Sequence, residues 1–188
     1  MVRVYLGHGA WGTAAAMAPW VDGLAARGIE AHTVTLPRGH ADRAAAAFLA
    51  QVPDAPGVVV GGQSYGGRAA SILAAQDGAG ETGRVHPLAG LVCLCFPLHR
   101  PGQPETALNR AGHLPQIRVP TLLLSGERDP LAELALLKGA VAGIPDATLA
   151  LWSRLGHSLA PVRDEALDRM AAFLLGLNPD APSAGDCR

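Results

Sequence analysis

Three side chains in this sequence have the types and the order needed for nucleophilic acyl transfer: Ser64, Asp129 and His157. A serine hydroxyl attacks a carbonyl only when a neighbouring base takes its proton, and an imidazole is the base that works near neutral pH. A carboxylate on the far side of the ring fixes the tautomer and stabilises the imidazolium that forms. Ser64 lies in Gly62-Gln63-Ser64-Tyr65-Gly66, a match to G-x-S-x-G. Glycines on both sides of one serine fit a strained strand-to-helix turn whose backbone is crowded by its neighbours. The alternative for Ser64 is an ordinary turn serine. Asp129 has a rival acid in Glu127, and it has the competing role of capping the segment opened by Pro130. His157, in Leu155-Gly156-His157-Ser158, has the alternative of a surface-loop histidine.

These residues need a scaffold, and the apolar pattern supplies one. Short apolar runs are expected as strands at 2–6, 31–36, 57–61, 88–96, 120–125 and 147–152. Helices are expected at 14–27, with Thr13 as N-cap, and at 42–51, 65–76, 131–142 and 161–175. Residues 77–87 read as a polar loop and 97–116 as irregular. Runs without polar alternation imply strands covered on both faces, hence a parallel α/β sheet. Ligands then sit at the carboxyl ends of strands. Ser64, Asp129 and His157 all fall there, as do the loop His8-Gly9-Ala10-Trp11 and the segment Pro97-Leu98-His99.

An acyl-transfer serine also needs two N–H donors for the oxyanion. The expected pair is the backbone N–H of Tyr65, the residue after the nucleophile, and that of Ala10 in the first loop, with Trp11 second. The Trp11 and Tyr65 side chains are candidates for the pocket wall, and core packing is the alternative for Trp11. His99 is placed to face the pocket. His8 is expected to support its own turn. Gln63 and Arg68 are near enough to touch substrate, although Arg68 reads more naturally as a surface or ion-pairing residue.

The 188 residues suffice for one domain, expected over 1–177, with a Pro-, Ala- and Ser-rich tail at 178–188. With 49% hydrophobic but only 4% aromatic residues, the core must be aliphatic. A net charge of −1 with no basic run argues against nucleic acid and anionic membrane as partners. No apolar run is long enough to span a membrane, and the first residues do not form a signal peptide. Cys93 and Cys95, two apart in an expected strand, would share a face as small core residues, badly placed for a disulfide. With Cys187 they make an odd count of thiols, which favours a cytoplasmic location. No metal or organic cofactor is expected.

The segments "GHGAWG", "GGQSYGGRAA", "CFPLHRPGQPE", "VPTLLLSGERDP" and "GHSL" together resemble the α/β-hydrolase superfamily, over residues 2 to about 175. They are most similar to a small branch of dienelactone-hydrolase-like bacterial proteins and their animal relatives, the testis-expressed and NSL-complex subunits. The "FPLHRPG" segment is the most branch-specific piece. The resemblance implies Ser64, Asp129 and His157 as a triad and a minimal, mostly parallel six-stranded sheet without the first two strands of the full fold. It also implies no lid domain and a shallow, open pocket. Dienelactone hydrolases use cysteine where this chain has Ser64, so their substrate does not carry over.

The reading is a serine hydrolase that cleaves a small carboxylic ester or thioester, a small-molecule acyl substrate, through an acyl-enzyme on Ser64. Two others remain open at this point: a catalytically weak or inactive hydrolase-fold binding or scaffold protein, and an amidase or peptidase of the same mechanism.

Overall fold

The computed structural model describes residues 1–177. Six strands, β1 (Arg3–Gly7), β2 (Glu30–Val34), β3 (Val58–Gln63), β4 (Gly90–Leu94), β5 (Thr121–Gly126) and β6 (Ala147–Trp152), alternate with helices. The helices are α1 (Ala18–Ala25), α2 (Ala41–Gln51), α3 (Tyr65–Gly78), α4 (Ala107–Ala111), α5 (Leu134–Ala142) and α6 (Arg163–Gly176). The strands form one sheet in the order β2-β1-β3-β4-β5-β6, and every pairing is parallel.

Burial on both faces explains the uninterrupted apolar runs. Val58, Val59 and Val60 are all completely buried, and their side chains go alternately to two cores. One core holds Phe48 of α2, Leu73 of α3 and Leu137 of α5 against the sheet. The other holds Leu24 of α1 and Met170 and Leu174 of α6. The strand order reverses between β1 and β3. The carboxyl ends of those two strands therefore border the crevice in which such sheets bind ligands.

Several local expectations change. The helix expected over 14–27 splits into a 3₁₀ turn, Ala14–Met17, and α1. Pro19 occupies the first turn of α1, where its missing N–H costs no hydrogen bond. The Thr13 side chain makes no capping bond. α5 starts at Leu134, not Leu131, because residues 129–132 form a tight turn about Asp129. A 3₁₀ turn, Ala160–Val162, precedes α6. Between β4 and β5 the chain is irregular as expected, broken only by Pro104–Thr106, α4 and Leu114–Gln116, with no lid-sized insertion. The tail expected at 178–188 lies outside the described residues, as does Cys187.

Cys93 and Cys95 do not share a face. Cys93 packs in the α2/α3 core and Cys95 in the opposite one. At Cys95 φ is +50°, so the strand's alternation ends there and the chain turns out of the sheet. Both thiols are free and buried.

Candidate active site

The turn from β3 into α3 is built by close backbone approach. Ser64 has φ 51° and ψ −112°, a strained conformation for a residue with a Cβ, of the kind that costs about 1–3 kcal/mol. Its N–H donates to Leu94 O at 2.7 Å, and its carbonyl accepts the Arg68 N–H at 2.9 Å as α3 begins. Gly66 lies against the backbone of Gly7 in β1, where any Cβ would collide with the Gly7 carbonyl. Glycine is thus required for α3 to reach the sheet, and Ser64 is the residue left projecting at the turn.

His157 comes from the loop after β6. That loop is pressed onto the end of β5, where a Cβ on Gly126 would strike the carbonyls of Leu155 and Gly156. The Arg128 N–H donates to Leu155 O at 2.9 Å and stitches the two loops together. His157 Nδ1 is 2.7 Å from Asp129 Oδ2, and His157 Nε2 is 2.8 Å from Ser64 Oγ. A carboxylate oxygen only accepts, so the Nδ1–H donates to Asp129 and Nε2 is free to accept the Ser64 O–H. Asp129 Oδ1 accepts the Leu131 N–H at 2.8 Å. The carboxylate is fully buried, whereas the imidazole is 23% exposed at the cleft. Asp129 therefore caps its turn and holds the histidine with separate oxygens. Glu127 is exposed and makes no hydrogen bond or ion pair with His157.

Ser64, Tyr65, Ala10, Trp11 and His157 line a cleft of about 1160 Å³. Tyr65 is the first residue of α3, so its N–H has no intrahelical acceptor. Among the described residues, neither Tyr65 nor Ala10 gives its N–H to a protein acceptor. The Tyr65 hydroxyl donates to Pro37 O at 2.8 Å and closes one wall. Trp11 is 90% exposed at the rim, which excludes the core-packing alternative.

His99 does not line the cleft. It is buried, its Nδ1–H donates to Arg100 O at 2.8 Å and its Nε2 accepts the Glu133 N–H at 2.9 Å. Both ring nitrogens are consumed in tying the chain after β4 to the start of α5. His8 does the same for the first loop, with Nδ1–H on Gly9 O at 2.8 Å and Nε2 accepting the Leu36 N–H at 3.1 Å. Arg68 departs from its expected surface role, because it lines the cleft and has no ion pair among the described residues. Arg100 and Arg110 join it there. No periodicity signals that convergence, since the three lie on different segments.

Cys95 is the unexpected neighbour of this site. A ligating atom from each of Cys95, Asp129 and His157 lies within 4.8 Å of the others. Burial first, and then the Asp129 charge, push the Cys95 thiol up to about 12. It is a protonated spacer behind the histidine and not a nucleophile.

A family model described as an alpha/beta hydrolase domain matches residues 3–173. Among solved structures, the chain is similar to a monoacylglycerol lipase from Paleococcus ferrophilus. The TM-score is 0.73 and the identity 13%, over 93% of this chain and 94% of that one. The metagenomic carboxylesterase EstE1 gives 0.72 and 19%, over 95% and 81%. A dienelactone hydrolase from Anabaena variabilis gives 0.69 and 18%, over 94% and 87%. At these identities the likeness is one of fold.

Proposed function

The chain belongs to the alpha/beta hydrolase domain family, and from that premise we propose that it is a serine hydrolase acting on a carboxylic ester or thioester. The observation that carries the proposal is the unbroken hydrogen-bonded line from Asp129 through His157 to Ser64, at 2.7 and 2.8 Å.

In this reading His157 Nε2 takes the Ser64 proton as Oγ attacks the carbonyl carbon. The negative charge that develops on the carbonyl oxygen falls to the N–H groups of Tyr65 and Ala10. His157 then gives the proton to the departing alkoxide or thiolate, and an acyl group remains on Ser64. Water enters through the open cleft, loses a proton to His157 and attacks the acyl carbon, and His157 returns that proton to Ser64 Oγ as the acyl–oxygen bond breaks and the acid leaves. Asp129 stays ionised throughout and holds the imidazolium in place. Trp11, exposed at the rim, supplies apolar surface to the acyl or leaving group. Two unpaired, buried cysteines accord with a cytoplasmic setting, where thiols stay reduced.

The test is a panel of short- and medium-chain 4-nitrophenyl esters, acyl thioesters and acyl anilides offered to the wild type, Ser64→Ala and His157→Ala. Ester or thioester turnover should disappear in both variants. Turnover of anilides in preference to esters would make the protein an amidase. Folded wild type that turns over none of them would refute the proposal.

A further inference from the structure

Three arginines on three segments line the cleft. Arg68 is in the first turns of α3, Arg100 follows β4, and Arg110 is in α4. Among the described residues the only carboxylate lining the cleft is Asp42, so that lining has an excess of two positive charges, in a chain whose net charge is −1.

Among the described residues no carboxylate lies within ion-pair distance of any of the three arginines. Arg68 Nε is buried with no hydrogen-bond partner. Arg110 Nη1 reaches only the carbonyls of Pro97 and His99, at 3.3 and 3.4 Å. The Arg110 guanidinium is held below its usual value by burial and by the charges of Arg68 and Arg100. The Arg68 guanidinium is lowered chiefly by burial, and Asp42 offsets part of this. Arg68 and Arg110 are half-buried and Arg100 is exposed at the rim, so two of the like charges stand where solvent is partly excluded, and no carboxylate pairs with them directly. An unsatisfied buried donor is costly, and a ligand acceptor would remove that cost.

The Arg68 backbone stands one helical turn from Ser64, its N–H on Ser64 O, and both residues line the one cleft. A group held by Arg68 and a carbonyl presented to Ser64 can therefore belong to one molecule. Guanidinium forks match the oxygens of phosphate and carboxylate. An excess of two charges matches a phosphate monoester, which carries about −1.5 to −2 at neutral pH.

We propose that Arg68, Arg100 and Arg110 form a subsite for a phosphate-type group on the ester or thioester that Ser64 attacks. The inference rests on the hydrolase reading above. The phosphate stands either on the acyl part or on the leaving group.

Matched pairs distinguish these two sources. For the leaving group, acetyl-4′-phosphopantetheine is compared with acetyl-pantetheine. For the acyl part, 4-nitrophenyl 4-phosphonobutyrate is compared with 4-nitrophenyl butyrate. In at least one pair, kcat/KM should favour the charged member by about tenfold or more, and the ratio should fall towards unity in Arg68→Gln and in Arg110→Gln. The ratio is internal to each variant, so a loss of folded protein does not disturb it. Calorimetric titration of Ser64→Ala with 4′-phosphopantetheine and with 4-phosphonobutyrate reads the subsite without catalysis. One of the two should bind, more weakly at high salt and more weakly again when Arg68→Gln is added.

Turnover of the neutral esters with no preference in either pair and no binding would overturn the subsite and leave the hydrolase reading intact. A preference that survives both arginine substitutions would also overturn it. Arg68-dependent binding without turnover of any substrate would keep the subsite and overturn the hydrolase.

Discussion

Asp129 gives one carboxylate oxygen to His157 and the other to the backbone of its own turn, at 2.7 Å from Nδ1 and 2.8 Å from the Leu131 N–H. The first bond sets the tautomer of the base, and the second sets the position of the carboxylate. An amide in place of the acid would keep the size but could offer the ring an N–H where it needs an acceptor. Asp129→Asn should therefore lower kcat on an ester by about 10³–10⁴-fold while the melting temperature moves little. The steady-state rate and a thermal melt on one preparation check both halves.

Gly66 is the steric condition for the exposed serine. A methyl group there meets the Gly7 backbone of β1, which cannot swing aside as a side chain tip would. Gly66→Ala should cost about 1–3 kcal/mol in urea unfolding, and it should lower turnover more than the loss of folded protein accounts for, because α3 and Ser64 move together.

His113 links acid stability to the same helix. The Ser71 hydroxyl donates to Arg68 O, so His113 Nε2–H donates to Ser71 Oγ, at 2.8 Å for both bonds. Burial, followed by the Arg68 charge, lowers its pKa to about 4 from 6.5. A histidine held neutral in the fold takes up its proton first in the unfolded chain. Its contribution is complete above pH 6.5 and is lost as the pH falls from 6.5 towards 4. Across that window the loss should reach about 3 kcal/mol, and His113→Gln should flatten that part of the stability-pH curve. Urea melts at half-unit pH intervals would show it, and parallel curves for wild type and variant would contradict it.

Burial pushes the thiols of Cys93 and Cys95 up to about 12. Neither should react with iodoacetamide at pH 8 in the native protein, and both should react in urea. Peptide-level mass spectrometry distinguishes them from Cys187. Rapid native labelling of Cys95 would mean that the space behind His157 opens to solvent.

The sheet was legible because its strands are buried on both faces, which leaves unbroken apolar runs such as Val58-Val59-Val60. Ser64, Asp129 and His157 were legible because each follows a strand, and strand ends point one way in a parallel sheet. What stayed hidden depends on conformation that no periodicity reports. The positive φ of Cys95 reverses its expected face and sets it beside Asp129. His99 follows a strand as the site residues do, yet both its nitrogens are taken by backbone groups. Arg68 reads as a solvated helix residue until the irregular segment after β4 folds over it and brings Arg100 and Arg110 into the same cleft. That segment has no apolar repeat to mark where its side chains go.

The most direct test of the central claim is whether Ser64 is chemically a nucleophile activated by His157. Native protein would be exposed to a fluorophosphonate probe, and the adduct located by peptide mass spectrometry in wild type, Ser64→Ala and His157→Ala. One adduct is expected, on Ser64, absent from the serine variant and strongly slowed in the histidine variant. Folded wild type that takes up no probe, or an Ser64 adduct that forms equally fast without His157, would contradict it.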